Sequence, residues 1–129
     1  MPRLALALAL LATGAASPAG ATWLYCTATG TDGTGAIEFQ TTAADVGAVP
    51  APRLTHLKQL LVAHVTKADP DARGLQADCF SFDDQLAAMS QYSRTLDATA
   101  RRVGWDHVTV VAPEDWLADS DIKNAPSRP

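Results

Sequence analysis

Three histidines are the residues in this sequence best suited to metal binding or acid–base catalysis. His56 and His64 lie eight positions apart in a segment with helical spacing, which separates them by about 80° around a helix axis at about 100° per residue. Two ligands of one metal ion usually lie three or four positions apart on a helix, so this spacing does not favour a metal site. His107 begins a predicted strand and has no partner nearby in sequence. We therefore expect no metal site.

Motifs for nucleophilic catalysis are absent from the sequence, which contains no GxSxG, HExxH or CxxC pattern. Asp69, Asp71, Asp83 and Asp84 fall at predicted turns and helix starts, where aspartate has ordinary structural roles. These observations predict a non-catalytic protein without a cofactor. A small hydrolase or metal protein that uses its histidines is the weaker alternative.

Aromatic side chains are the better candidates for a binding role. Trp and Tyr are common anchors at binding surfaces, although they are also the largest side chains available to fill the core of a small domain. Trp116 follows the last predicted strand beside Glu114 and Asp115, so we expect it to be the most exposed. Four aromatic residues flank predicted strand ends and form the candidate binding surface: Trp23, Tyr25, Trp105 and Trp116.

The first 21 residues have the three parts of a secretory signal peptide. Arg3 supplies the positive charge, an apolar run covers residues 4–12, and small residues at Ala19 and Ala21 favour cleavage after Ala21. The apolar run is far shorter than the roughly 20 residues of a membrane-spanning helix. Arg outnumbers Lys and Ala is abundant, a composition typical of a bacterial genome rich in G and C. We therefore expect a periplasmic or secreted protein with no membrane span after processing.

Both cysteines, Cys26 and Cys79, lie in the predicted mature chain of residues 22–129. In an oxidising compartment two thiols in a small domain most often pair, so we predict a disulfide between them. The mature chain has nine basic and fourteen acidic residues. This negative balance argues against nucleic-acid partners, whose binders carry basic patches, and would attract a cationic partner.

Alternation and helical spacing predict the secondary structure. Strands are expected at residues 22–29, 36–42, 75–80 and 107–112, with a hairpin turn at Asp32-Gly33. One helix is expected over residues 53–67, and a second from an N-cap at Ser81 to a C-cap at Gly104. The second helix should bury one face, made of Phe82, Leu86, Met89, Leu96 and Val103.

This ββαβαβ order predicts an α+β fold, a small two-layer sandwich in which two helices lie on one face of a sheet of about four strands. We expect a single domain over residues 22–117 and a flexible polar tail over residues 118–129. The layout from Cys79 to Ala112 resembles half of a SPOR domain, a small periplasmic module that binds denuded peptidoglycan. The opening hairpin departs from that family's element order.

Two further functional hypotheses follow. The leading one is an exported, non-catalytic binding protein whose partner is another protein, for example an inhibitor or immunity protein for a basic secreted or cell-wall hydrolase, because opposite charge speeds encounter. The alternative implied by the SPOR resemblance is a module that binds peptidoglycan or another cell-wall glycan.

Overall fold

The computed structural model describes residues 22–123. The predicted signal peptide, residues 1–21, and the last six residues, 124–129, lie outside the described part. Within residues 22–123, no helix combines the length and the apolar character needed to cross a membrane.

Five strands form one mixed sheet: β1 (Trp23–Asp32), β2 (Gly35–Thr41), β3 (Ala44–Asp45), β4 (Arg73–Phe82) and β5 (Val108–Val111). The central strand β1 is antiparallel to β2 and β3 on one side and to β4 on the other. Strand β2 also pairs in parallel with β5. β4 therefore lies at one edge of the sheet and β5 at the other.

The predicted hairpin is confirmed and is tighter than expected. Asp32 lies opposite Gly35, so the two strands are joined by a turn of Gly33 and Thr34. The Asp32 side chain accepts a 2.7 Å hydrogen bond from the Thr34 backbone N–H. This contact between a side chain and the backbone two residues later is the reason that aspartate favours turns.

Within residues 22–123 there are three α-helices, namely α1 (Ala51–Ala68), α2 (Gln85–Val103) and the single turn α3 (Pro113–Trp116), with 3-10 turns at Trp105–His107 and Asp119–Asp121. Helix α2 begins later than predicted because Ser81 and Phe82 extend β4. Asp84 is the N-cap instead, and its carboxylate accepts a 3.1 Å hydrogen bond from the Ala87 N–H. Gly104 ends the helix as predicted, with a φ of 93°.

The main hydrophobic core lies between the sheet and α1. Helix α1 contributes Leu57, Leu61 and Val65, which follow the predicted helical spacing and are fully buried. The strands contribute alternate residues, because successive side chains of a strand point to opposite faces. These core strand residues are Leu24, Cys26, Ala28, Ile37, Phe39, Ala44 and Val111.

The predicted α+β fold, with one sheet and two main helices, is confirmed, but the placement of both helices on one face is wrong. Helix α2 bonds to Tyr25, Glu38 and Gln40, the strand positions that alternate with the core residues. The connection from β2 to β4 contains α1 and crosses the sheet in one direction. The connection from β4 to β5 contains α2 and crosses the sheet in the opposite direction. Crossovers of the same hand that run in opposite directions place their helices on opposite faces.

The predicted buried face of α2 is also wrong at its N-terminal end. Leu86 and Met89 are 72% and 52% exposed, whereas Ala88 and Thr99 are buried. The helix therefore turns small and polar side chains towards the sheet. Residues 118–123, the first part of the predicted flexible tail, contact the rest of the chain. Ile122 packs against the core and Asp121 pairs with Arg53, which fix this segment.

Candidate binding surface

The four aromatic residues predicted to form a binding surface have different environments. Tyr25 is buried and Trp23 is half-buried. Trp116 is only 7% exposed, because α3 packs onto the main core, so the expectation that it is the most exposed is wrong. Trp105 is 63% exposed. Among these four residues, Trp105 is the one with a largely free surface for a partner.

Tyr25 belongs to an aromatic cluster beneath α2. Its ring stacks on Phe80 and Phe82, with centroid distances of 5.1 and 6.0 Å, and meets the edge of Tyr92 at 5.9 Å. Its hydroxyl hydrogen-bonds the Thr95 hydroxyl at 3.1 Å. Tyr25 therefore anchors α2 to the sheet.

The negative charge of the described chain is concentrated in residues 104–122, which we call the acidic segment. It contains five acidic residues and no Lys or Arg. Asp121 pairs with Arg53 at 3.3 Å. The other four are exposed and form no ion pair with residues 22–123: Asp106, Glu114, Asp115 and Asp119.

The acidic segment also carries an open edge of the sheet. Strand β5 pairs with β2 alone among the described strands, so one side of its backbone has no strand partner there. Val110 is 48% exposed on this edge strand. Exposed apolar side chains, free carboxylates and open strand backbone thus occur together in one stretch of 19 residues. Such a surface suits a cationic protein better than a small molecule.

The histidines do not assemble into a metal site. His56 is exposed and His64 is half-buried, both on α1. Within residues 22–123, no three His, Cys, Asp or Glu side chains lie close enough together to hold a metal ion.

His107 has a partner that sequence spacing does not reveal. Its Nδ1 lies 3.3 Å from the hydroxyl of Thr34, in the hairpin turn 73 residues earlier. That hydroxyl donates a 2.5 Å hydrogen bond to Asp32, whose carboxyl shares a hydrogen bond with Asp69. The Thr34 hydroxyl, the bond with Asp69 and the Thr34 N–H lower the pKa of Asp32 to about 2, and the bond with Asp32 raises the pKa of Asp69.

This array does not activate Thr34 as a nucleophile. The hydroxyl of Thr34 directs its one proton to Asp32 and not to the nearby His107 ring, and a carboxylate with a pKa near 2 is a weak base. Thr34 is exposed on a hairpin tip, where the same contacts form an ordinary turn. The geometry therefore supports a structural role for these residues.

A buried polar cluster joins β2 to α2. The Glu38 carboxylate, on a side chain only 5% exposed, accepts hydrogen bonds from Gln40 Nε2 at 2.5 Å and from the Thr99 hydroxyl at 2.9 Å. It also lies 3.3 Å from the Arg102 guanidinium. The donors around Glu38 satisfy a carboxylate that would otherwise be costly to bury. These hydrogen bonds attach α2 to β2.

Comparison of the chain with protein-family models, curated proteins and solved structures finds no match.

Proposed function

We propose that this chain is an exported, non-catalytic binding protein whose partner is a cationic protein, and that the acidic segment is its contact surface. The observation that carries the proposal is the combination, within residues 104–122, of four free carboxylates with the exposed Trp105 and the open edge of β5. Carboxylates would steer a basic partner to this side of the molecule. Trp105 and the backbone of β5 would supply the short-range contacts.

The disulfide supports the exported part of the proposal. Cys26 and Cys79 are joined with an S–S distance of 2.01 Å. Structural disulfides persist in oxidising compartments and are rare in the cytosol. Together with the predicted signal peptide of residues 1–21, the bond favours a periplasmic or secreted location.

A basic cell-wall hydrolase is the partner class that the charge favours. An acidic inhibitor or immunity protein would bind such an enzyme with an association rate constant that is raised at low ionic strength and reduced by added salt. Lysozyme is a suitable first probe, followed by basic wall hydrolases purified from the producing cells.

The test measures binding of these hydrolases to the immobilised protein between low and physiological salt. A variant with Asp106→Asn, Glu114→Gln and Asp115→Asn should lose most of the affinity. The matched control carries Asp71→Asn, Asp78→Asn and Asp97→Asn, three exposed acids outside the acidic segment, and should retain most of it. Absence of binding at every salt concentration, or equal loss in both variants, would contradict the proposal. Co-sedimentation with purified sacculi would support the glycan-binding alternative.

A further inference from the structure

The opposite edge of the sheet, formed by β4, has its own unpaired backbone groups. Cys26 and Cys79 lie opposite one another with their Cα atoms 4.0 Å apart, the close spacing of a pair that is not hydrogen-bonded. In agreement, the Cys26 N–H points away from β4 and donates to the Thr41 hydroxyl at 2.8 Å. The backbone groups of Cys79, and by alternation those of Ala77 and Ser81, therefore point outward from the sheet.

This edge carries few of the features that protect an edge strand from pairing. Proteins usually place lysines, prolines or bulges on such strands. From Leu75 to Phe82 the strand contains one charged residue, Asp78, and no Lys or Pro. A bulge at Gly74, with a φ of 64°, distorts only the beginning of the strand. Residues 76–82 therefore form a regular open edge with Cys79 at its centre.

We infer that this edge pairs with β4 of a second copy of the chain, antiparallel, about a two-fold axis that passes by Cys79. This inference goes beyond the proposed function and uses the other side of the sheet. The outward groups of Ala77 would then meet those of Ser81 in the second copy, and Cys79 would meet Cys79. The two sheets become one continuous sheet, and both β5 edges stay open at its ends.

Charge complementarity favours a second copy over an unrelated segment. Arg73, at the start of β4, donates to the carbonyls of Pro70 and Ala72 and forms no ion pair within residues 22–123. Asp83, just after the end of β4, is exposed and likewise forms no ion pair there. With Cys79 opposite Cys79, Arg73 falls opposite residue 85 of the second copy, so its long side chain can reach Asp83, two positions away on the diagonal.

An apolar groove lies beside the same edge, on the face that carries α1. Its volume is about 380 Å³. A two-fold axis at β4 places the two grooves side by side, as an isologous interface requires, and removes their apolar walls from water. The groove is lined by Thr55, Lys58, Gln59, Val62, Ala63 and Ala77.

The first test follows the mass of the full chain, purified after export, by sedimentation over a concentration series, with hydrogen exchange on the same samples. We expect a reversible dimer. The amides of Ala77, Cys79 and Ser81 should become protected as the dimer forms, whereas those of Asp78 and Phe80, bonded to β1, should be protected throughout. Amides of β5 provide the internal control, because their protection should not depend on concentration.

The second test exchanges the charges. Arg73→Asp or Asp83→Arg alone should weaken the dimer roughly fivefold, and the double variant should recover most of the loss, since two symmetric exposed pairs are involved. A monomer at all concentrations, or a dimer without alternating protection in β4, would overturn the inference. If the chain is monomeric at all concentrations but binds an added hydrolase, the proposed function stands and the inference of a dimer is wrong.

Discussion

The Thr99 hydroxyl of α2 donates a 2.9 Å hydrogen bond to the Glu38 carboxylate of β2, 61 residues earlier in the chain. Both residues are buried, and Thr99 also accepts from Gln40 Nε2 at 3.2 Å. The contact attaches α2 to the sheet on the face opposite the main core, where few large apolar side chains are buried.

Replacement of this hydroxyl by a methyl group should destabilise the fold. We expect Thr99→Val to lower the free energy of unfolding by about 1–3 kcal/mol, because a buried carboxylate loses a donor. Arg102→Ala should cost less than about 1 kcal/mol, since that guanidinium is largely exposed. Urea unfolding of both variants measures the difference. Equal costs would show that the Thr99 bond adds nothing beyond the ion pair.

The disulfide should contribute a large share of the stability. It links residues 53 positions apart, and loss of the loop closure in the unfolded chain corresponds to about 4 kcal/mol. We expect the double variant Cys26→Ala, Cys79→Ala to fold with a lower urea midpoint. Reductant should lower the midpoint of the natural protein and leave the double variant unchanged. An unchanged midpoint in reduced natural protein would contradict the prediction.

Two leucines test which helix faces form the core. Leu61 of α1 is fully buried and Leu86 of α2 is 72% exposed. Leu61→Ala should cost about 2–5 kcal/mol through the lost burial and the cavity. The same substitution at Leu86 should stay within about 0.5 kcal/mol. Thermal unfolding measures both costs, and a larger loss for Leu86→Ala than for Leu61→Ala would contradict the prediction.

Two tryptophans separate binding from packing. Trp116→Ala removes a buried side chain and should cost about 3–5 kcal/mol, whereas Trp105→Ala should leave stability nearly unchanged. Under the proposed function, Trp105→Ala should nevertheless weaken hydrolase binding at least tenfold, as expected of an interface anchor. Calorimetric unfolding and binding titrations measure the two effects. Normal binding by Trp105→Ala would remove this residue from the contact surface.

The carboxyl pair at the hairpin should give a small pH dependence. Folding raises the pKa of Asp69, so the protonated Asp69 carboxyl stabilises the folded state at pH values below its unfolded pKa. This stabilisation is lost as the pH rises through the folded pKa. Asp32 has the opposite effect, because folding lowers its pKa from 3.8 to about 2. The ionised Asp32 carboxylate stabilises the folded state above pH 3.8, and this stabilisation is lost as the pH falls towards 2.

Asp69→Asn keeps a hydrogen-bond donor beside Asp32 and cannot ionise. We expect it to remove the loss of stability predicted for the natural protein as the pH rises through the raised pKa of Asp69. Carboxyl NMR titration should show Asp32 titrating below Asp69 in the natural protein. Asp71→Asn is the control, because it removes a neighbouring carboxylate and keeps the backbone hydrogen bond from residue 71 to Asp69. The reverse order of titration would contradict the assignment.

Local signals in the sequence predict the elements well. The alternation of Ile37 and Phe39 with Glu38 and Gln40 predicts β2, and the spacing of Leu57, Leu61 and Val65 predicts α1 and its buried stripe. The hairpin at Asp32 and the end of α2 at Gly104 were also predicted from turn chemistry. These features depend on neighbours in the chain, so sequence spacing is sufficient to find them.

The aromatic part of the candidate surface was predicted only in part. Trp105 is exposed, but Tyr25 and Trp116 are buried, because side-chain type does not distinguish a surface anchor from a core residue. Composition indicates the acidic character of the chain, whereas the strand order shows that the acidic segment contains an open edge strand, β5.

By itself the sequence indicates the main elements in the order ββαβαβ, without the short β3 and α3, together with two cysteines able to pair and the acidic balance of the chain. The tertiary structure decided the strand order, the opposite faces occupied by α1 and α2, the partner of His107 and the two open edges. The division has a physical cause. The periodicity of apolar residues shows which face of a helix or strand is buried. The direction of each crossover decides which face of the sheet a helix covers and which strands become neighbours, and it depends on contacts between residues far apart in the chain.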